Sequence, residues 1–479
     1  MNRFTVILLF WMGGLNLGYA QPTTAKVAPA DVKADLTYLY ETLAASHYDL
    51  YVNTPKRIYD QAYQELYASI HDSLTPLQIN RLFQPFVAKA QLGHCVTGYP
   101  FKSYNAFLAS GGRVFPFDVR VDKRHVYVIS NHSTDTNIQS GDEIIALYGV
   151  KMSQWLTRIY HYLSGENEYY KNTLIDLVGF PRLFWMIYDQ TGQFSIKIKR
   201  RDGRVVFVNT PGILASTYRE IRNRQPALFT TSRQLTFFQQ VAYLRPGQFI
   251  NSESNGNTSG QQTFQKGEFI RFIDSAFVQM HRRKTNQLLI DLRGNPGGDN
   301  TFSDYMVAYF ATRPFSFYSA FRVKTSAVTK SFWQDVTDSS LIDLKRDILS
   351  KKDGERFVVK QSAYPNREDS LRFSGNVYVL IDRYTYSNAA TTAAQIQDYG
   401  FGTLLGEPTA ESPTLYASVH EFELPNTKIA VTYPKAFMIR PNGNQVLNGV
   451  RPNVIVPEKA LMTADQVLTF ALDYIRRTN

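Results

Sequence analysis

One serine in this chain follows a buried strand at a point suited to nucleophilic chemistry. Val377 to Ile381 form a short apolar run rich in β-branched residues, which predicts a strand buried on both faces. Asp382 to Tyr386 break the run, and Ser387-Asn388 then leads into an alanine-rich segment that favours a helix. A strand, a sharp turn, a serine and a helix form a nucleophile elbow, which places one hydroxyl beside helix N–H groups. The alternative is that Ser387 only caps the helix.

A glycine-rich turn follows a second short apolar strand, residues 288–290. The glycine pair Gly297-Gly298 has no Cβ, so its backbone N–H groups can approach a ligand closely. The turn lacks the Gly-Lys-Ser/Thr ending of a phosphate loop, and an oxyanion hole fits it better. Asp291 and Arg293 could be catalytic, but we favour a supporting role in which they pair or bond to backbone and hold the turn.

Metal and cofactor chemistry has little support in the sequence. Seven histidines, other than the one at position 94, show no His-x-x-x-His or carboxylate spacing typical of a metal site; they stand at positions 47, 71, 125, 132, 161, 281 and 420. We therefore predict no metal and no cofactor. Cys95 is the only cysteine, so an intrachain disulfide is excluded.

Composition and charge exclude some classes of protein. The chain has 479 residues, of which 44% are hydrophobic and 19% charged, as expected for a globular protein of two or three domains. The net charge is +11, but the basic residues are dispersed and no nucleic-acid-binding motif is present, so we predict no nucleic-acid partner.

The N-terminus has the pattern of a secretory signal peptide over residues 1–20. Arg3 precedes an apolar run from Phe4 to Met12, and Gly18-Tyr19-Ala20 gives a small-x-small end before Gln21. No other apolar run is long enough to span a bilayer, so no integral membrane segment is expected in the mature chain. The sequence thus predicts an exported protein, periplasmic or extracellular.

Hydrophobic periodicity divides the remainder into three regions. Residues 21–110 contain three helical patterns and predict an N-terminal helical region. Residues 111–210 change to β-like runs, and a Gly141-Asp142 turn followed by an apolar strand and a Gly149 turn resembles a PDZ-type domain, which implies a peptide-binding groove. Residues 211–479 hold the glycine-rich turn and the elbow and predict an α/β catalytic domain.

Four motifs together resemble the tail-specific (C-terminal-processing) and tricorn-type serine peptidases. They are LLIDLRGNPGGD at 288–299, YTYSNAA at 384–390, GFGTLLGEPT at 400–409 and GVRPNVIV at 449–456. The helical region and the PDZ-like region ahead of the core agree with the same family. The resemblance implies a crotonase-like ββα core and hydrolysis of a peptide or protein substrate through an acyl-enzyme.

The resemblance implies catalytic roles for several residues of this chain. Ser387 matches the nucleophile, and the backbone N–H groups of Gly297 or Gly298, with that of Asn388, match the oxyanion hole. Ser412 stands where the tail-specific branch has its lysine base, so a Ser–Lys dyad is not predicted. The tricorn-type branch uses a histidine after a Leu-Gly-type lead, and His94 fits that place.

The third member of a triad is not obvious. Gly93 and Asn448 occupy the places where the tricorn-type pattern has a serine and a glutamate, so the histidine must be oriented by Gln445, Asn448, Glu411 or backbone. Cys95 is a weaker nucleophile candidate, because a residue at i+1 seldom faces its own histidine.

These observations predict an exported serine endopeptidase with Ser387 as nucleophile and His94 as base. The missing lysine and the missing orienting group motivate a second hypothesis, a catalytically inactive peptide-binding protein on the same fold.

Overall fold

The structure is a computed structural model that describes residues 25–188, 192–224, 228–229, 231–251, 265–337, 342–456 and 464–478. The expected signal peptide lies outside the described residues. The chain divides into two compact units. The N-terminal unit holds the described residues of 25–227 together with 420–434, and the C-terminal unit holds those of 228–419 together with 435–478.

Helices and strands are interspersed along the described residues, so the fold is mixed α/β. The helices are α1 Pro29–Ser46, α2 Lys56–Ser69, α3 Pro76–Ala88, α4 Phe101–Ala109, α5 Met152–Tyr160, α6 Glu168–Val178, α7 Phe180–Tyr188, α8 Ala215–Arg224, α9 Gly267–Arg282, α10 Asn300–Val307, α11 Ala327–Gln334, α12 Ile342–Ser350, α13 Asn388–Tyr399 and α14 Ala464–Arg477.

The described strands are between 2 and 10 residues long. They are β1 Val96–Thr97, β2 Arg113–Val114, β3 Phe117–Asp122, β4 His125–Asn131, β5 Glu143–Leu147, β6 Val150–Lys151, β7 Gln193–Lys199, β8 Val205–Pro211, β9 Ile213–Leu214, β10 Gln234–Phe238, β11 Val241–Arg245, β12 Gln287–Asp291, β13 Ala320–Lys324, β14 Arg356–Val358, β15 Asn376–Ile381, β16 Thr403–Gly406, β17 Leu415–Glu423, β18 Ala430–Ile439 and β19 Val454–Ile455.

The three helices predicted at the start of the N-terminal unit are present as α1, α2 and α3. The apolar stripe of α1 is fully buried, and α3 begins with a capping box between Thr75 and Gln78. The stripe of α2 behaves differently, because only Tyr59 of that helix is buried. Ile58, Ala62 and Leu66 line an open cavity instead, together with the polar residues Glu166 and Asn167.

The second part of the N-terminal unit is an antiparallel sheet in the order β3-β4-β5-β7-β8, with β6 paired to β5. A hairpin around Asp202-Gly203 joins β7 to β8. The Gly141-Asp142 turn precedes β5, and the buried Asp142 carboxylate pairs with Arg200 at 3.0 Å. Burial of the alternate strand residues against α5 and α7 builds the core of this unit.

A mostly parallel sheet forms the centre of the C-terminal unit, in the order β10-β11-β12-β15-β16-β19. The pairs from β11 to β19 are parallel, and β10 runs antiparallel to β11 at one edge. Parallel strands bring their carboxyl ends to one edge of a sheet, where ligand sites of open α/β sheets occur. The ends of β12, β15 and β16 therefore lie together, with Asp291 in register with Leu380 and Ile381 with Gly406.

Successive side chains of these strands point to opposite faces of the sheet, and each face packs into its own hydrophobic core. Leu288, Ile290 and Val379 point to one face, where α9, α10 and α13 cover them. Leu289 and Leu380 point to the other face, where α14 covers them. Burial on both faces explains why these strands are continuous apolar runs in the sequence.

A second, antiparallel sheet in the C-terminal unit joins β13 to β14 and to residues 436–439 of β18. Lys435 lies next to this segment and is buried, and its ammonium donates to the carbonyl of Ser418 at 3.1 Å and to the Ser418 hydroxyl. Burial lowers the pKa of Lys435 to about 7. Ser418 has a φ of 54°, which is a left-handed backbone conformation.

Asp304 of α10 connects that helix to α13 inside the core. Its carboxylate accepts hydrogen bonds from the side chains of Asn300, at 2.9 Å, and Gln395, at 3.0 Å. The side chain is 2% exposed, and burial raises the pKa of Asp304 to about 7. An acid with a raised pKa in the folded state stabilises the fold at low pH and loses that contribution as the pH rises through the folded pKa.

We expect Asp304→Asn to be more favourable for stability at neutral and higher pH than in acid. Between about pH 5 and about pH 8 the free energy of unfolding of the wild type falls by about 2–3 kcal/mol through ionisation of Asp304, and the neutral amide of the variant avoids this loss. Urea unfolding of both proteins across this range measures the difference, in which the other titrations cancel. A difference between the two free energies of unfolding that is constant with pH would contradict the assignment.

Among the described residues, no helix has both the length and the apolar character that crossing a bilayer requires.

Candidate functional site

Ser387 lies between the buried strand β15 and the first residue of α13, as the elbow pattern predicts. Its backbone has φ 53° and ψ −125°, a conformation that costs a non-glycine residue about 1–3 kcal/mol and is concentrated at functional sites. The side chain makes no capping hydrogen bond to the helix, although the residue is at the cap position. The capping alternative therefore does not explain why a serine stands there.

Contacts from the glycine-rich turn hold the elbow in its strained form. The Tyr386 N–H donates to the carbonyl of Asn295 at 2.9 Å, and the Thr385 hydroxyl donates to the carbonyl of Leu292 at 2.8 Å. The Asp382 carboxylate accepts from the N–H groups of Gly294 and Tyr384, each at 3.0 Å. Burial and the Glu407 charge raise the pKa of Asp382 to about 6. The two loops thus form one hydrogen-bonded assembly.

Glu411 supplies a further contact to the nucleophile candidate. The N–H of Ser387 itself donates to the Glu411 carboxylate, and the Glu411 side chain is buried. This hydrogen bond helps to hold the strained backbone of Ser387, because it forms only when the Ser387 N–H points toward the carboxylate.

Asp291 and Arg293 pair at the start of the glycine-rich turn. The Arg293 guanidinium donates to both Asp291 oxygens, at 2.9 and 2.8 Å, and Tyr243 and Arg245 donate to the same carboxylate. Burial alone would raise the pKa of Asp291, but the Arg293 charge and these hydrogen bonds hold it below its usual value. These hydrogen bonds occupy the Asp291 carboxylate, so the pair is better suited to holding the turn than to catalysis.

Gly297 sits against the elbow with no room for a side chain. Its φ is 89°, and a Cβ there would lie 2.7 Å from the Tyr386 carbonyl oxygen, 2.8 Å from the Asn388 nitrogen and 3.0 Å from the Ser387 Cβ. A Cβ on Gly298, whose φ is 136°, would lie 2.2 Å from the Phe249 carbonyl oxygen. Both positions therefore require glycine, and the first brings the turn into direct contact with Ser387 and Asn388.

The backbone N–H groups at this contact differ in their partners. The Gly297 N–H donates to the Asn295 side-chain oxygen at 2.9 Å. Within the part of the chain that the structure describes, the N–H groups of Gly298 and Asn388 donate to no protein acceptor. N–H groups without a protein acceptor near a nucleophilic serine can donate hydrogen bonds to a developing oxyanion.

The other predicted site residues of the C-terminal unit lie in different settings. Gln445 and Asn448 are exposed, and the Asn448 N–H donates to the Val446 carbonyl at 3.0 Å. Ser412, at the position of the family's lysine, is buried, and its hydroxyl lies 3.5 Å from the Val446 carbonyl.

His94 belongs to the N-terminal unit, where it lies half-buried in a turn closed by the Cys95 N–H and the Leu92 carbonyl, 3.0 Å apart. Burial raises the pKa of the Cys95 thiol to about 12, so the thiol is protonated and inert at neutral pH.

Comparison with known proteins agrees with this geometry. Residues 241–456 match the model of peptidase family S41. The matched segment runs from β11 to the closing strand β19 and includes both the glycine-rich turn and the elbow. The matched segment of 216 of the 479 residues is similar to peptidase family S41. The match confirms what the motifs indicated, a serine-type peptidase of the tail-specific and tricorn-type kind.

Solved structures show the same fold over almost the whole chain. CPAF complexed with lactacystin has a TM-score of 0.63 at 14% identity, with 94% of this chain and 98% of that chain covered. A crystal structure of a CPAF mutant has a TM-score of 0.62 at 14% identity and covers 93% of this chain and 96% of that chain. Mature CPAF has a TM-score of 0.59 at 15% identity over the same shares of the two chains.

The segment that matches family S41 contains a supporting residue, Asn295, that the sequence patterns did not identify. Asn295 accepts from Gly297, donates to the carbonyl of Gly247 at 2.8 Å and offers its own carbonyl to Tyr386. The position of Asn295 within the 288–299 motif is the sequence feature that could have indicated this role. No group of three or more His, Cys, Asp or Glu residues in the described ranges is arranged to hold a metal. The absence of a metal cofactor stays a prediction.

Proposed function

We propose that this protein is an exported serine endopeptidase that cleaves peptide bonds through an acyl-enzyme on Ser387. The observation that carries the proposal is the strained backbone of Ser387, whose φ is 53°, at the carboxyl end of β15 and beside Gly297. Because the hydroxyl makes no capping hydrogen bond, helix stability does not explain why a serine occupies this strained position. Its function must depend on where the hydroxyl is presented.

The proposed reaction follows the acyl-transfer scheme. The Ser387 hydroxyl attacks the scissile carbonyl while His94 takes its proton, and the same imidazole then protonates the departing amine. Water attacks the resulting ester, again with His94 as base, and releases the acid product. The choice of His94 rests on the Leu-Gly-His motif of the sequence.

For the oxyanion hole we propose the N–H groups of Gly298 and Asn388. Gly297 was an equal candidate in the sequence, but its N–H is bonded to Asn295, which supports Gly298 as the donor. Each donor is worth about 3 kcal/mol of the barrier, since it acts on charge that develops in the transition state.

Three residues were candidates to orient the histidine. The contact between Glu411 and the Ser387 N–H supports a different role for Glu411, which is to position the nucleophile. Gln445 and Asn448 stay in the proposal as candidates to orient the imidazole.

The remaining architecture is proposed on the resemblance. Residues 211–479 form a crotonase-like catalytic core, and the antiparallel sheet within residues 111–210 is the PDZ-like domain that receives an extended peptide. Residues 1–20 are removed on export, which N-terminal sequencing of the secreted protein tests directly. The mature chain is expected to begin at Gln21.

Digestion of a mixed peptide library with mass-spectrometric readout tests the activity. We expect internal cleavage products, and we expect a chromogenic ester to give a burst equal to one product per active site, because a reactive ester acylates the serine faster than the acyl-enzyme is hydrolysed. Peptide binding without any product in the same library would contradict the proposal and support the inactive peptide-binding protein.

A further inference from the structure

One short segment of the N-terminal unit bonds to the residues on both sides of His94. The Gly93 N–H donates to the Glu166 carboxylate at 3.1 Å, and the Ser164 hydroxyl donates to the Cys95 carbonyl. Both contacts come from residues 164–170, which we call the clamp segment. The backbone before and after the imidazole is thus attached to one piece of chain about seventy residues further along.

Tyr170 of the clamp segment closes the space beneath Gly93. The tyrosine is fully buried, and a Cβ on Gly93 would lie 2.2 Å from its ring carbon Cε1 and 2.4 Å from its hydroxyl oxygen. The backbone of Tyr170 is held as well, because Asn167 caps α6 by accepting from the Tyr170 N–H at 2.9 Å. Glycine at position 93 and tyrosine at position 170 therefore fit each other.

The other side of the clamp segment is open. Gly165, Glu166 and Glu168 line the cavity of about 870 Å³ that the apolar residues of α2 also line. Glu166 is therefore half-buried at a cavity wall, and its replacement leaves the packed core of this unit intact.

We propose that Glu166 and Ser164 are positioning residues that set the direction of the His94 side chain for proton transfer. The proposal rests on the proposed function, in which His94 is the base. A side chain on a turn points where the backbone of that turn directs it. Anchors at the two neighbouring residues fix the backbone of the turn, so the Cβ of His94 keeps one direction and only the side-chain rotations of the imidazole remain. Displacement of a catalytic group by about 1 Å costs about 100-fold in rate.

Substitution of Glu166 tests the inference in the intact chain. We expect Glu166→Ala to lower kcat by about 10- to 100-fold with KM changed less than about 2-fold, because substrate contacts are untouched. Glu166→Gln keeps an oxygen acceptor for the Gly93 N–H and should restore most of kcat. Glu168→Ala is the matched control, since Glu168 is an exposed carboxylate of the same segment that pairs with Arg124 and should leave kcat unchanged.

Two further variants make the outcome decisive. Ser164→Ala removes the contact on the other side of His94 and should lower kcat in the same way, whereas His94→Ala should remove activity altogether. If His94→Ala retains wild-type kcat, the proposed function fails. If His94→Ala is inactive while Glu166→Ala and Ser164→Ala match the wild type, only the positioning role is overturned. A loss in Glu166→Ala that Glu166→Gln does not restore, or that raises KM equally, also overturns it.

Discussion

Replacement of Ser387 by alanine is expected to lower kcat for peptide hydrolysis by about 10⁵-fold or more, since removal of a nucleophile abolishes the acyl-enzyme route. The fold should be nearly unaffected. Alanine keeps the same backbone conformation, the hydroxyl makes no capping bond, and we expect the free energy of unfolding to change by less than about 1 kcal/mol. Steady-state hydrolysis of a cleaved library peptide and urea unfolding measure the two quantities.

Ser418→Ala is the matched control for this substitution. Ser418 is also buried, and its φ of 54° nearly equals that of Ser387, but its hydroxyl contacts Lys435. Ser418→Ala should cost stability through the lost hydrogen bond and leave kcat close to the wild-type value. Activity that survives in Ser387→Ala but disappears in Ser418→Ala would show that the wrong serine has been assigned.

Gly297→Ala is expected to have the second largest effect. The new Cβ would lie 2.7 Å from the Tyr386 carbonyl oxygen and 2.8 Å from the Asn388 nitrogen, so the elbow and the glycine-rich turn must separate. We expect kcat to fall by about 100-fold or more, because an oxyanion donor misplaced by about 1 Å loses most of its effect. The positive φ and the overpacking should together cost about 2–4 kcal/mol of stability.

Gly354→Ala separates the two causes. Gly354 has a φ of 83°, close to the 89° of Gly297, but nothing lies within 4 Å of the position that its Cβ would occupy. This variant should lose about 1–2 kcal/mol from backbone strain and keep wild-type kcat. Equal losses of kcat in the two variants would contradict a specific contact between Gly297 and the elbow.

Local patterns were sufficient to predict the two loops of the site. The strands β12 and β15 are buried on both faces, so they stand out as apolar runs, and the glycines and the serine that follow them mark the turns. The family motifs also predict that the two loops contribute to one site. Helices α1 and α3 were predicted for the same reason, because one buried face imposes a regular spacing.

Features that depend on long-range contacts were not predictable in this way. The spacing in α2 indicated a buried stripe, yet the fold places a cavity over Ile58, Ala62 and Leu66. No pattern distinguishes the N–H of Gly297 from that of Gly298, since the difference is a side-chain contact from Asn295. The burial of Lys435 was not predictable either, because a lysine in a strand is ordinarily expected on the solvent face.

Mapping the residue that a fluorophosphonate probe modifies is the most direct test of the central claim, that Ser387 is the nucleophile. The intact protein is treated with the probe, digested and sequenced by mass spectrometry. We expect one modified peptide, with the phosphonyl group on the Ser387 hydroxyl, and no modification in Ser387→Ala. An adduct on another residue, or labelling that persists unchanged in Ser387→Ala, would contradict the account.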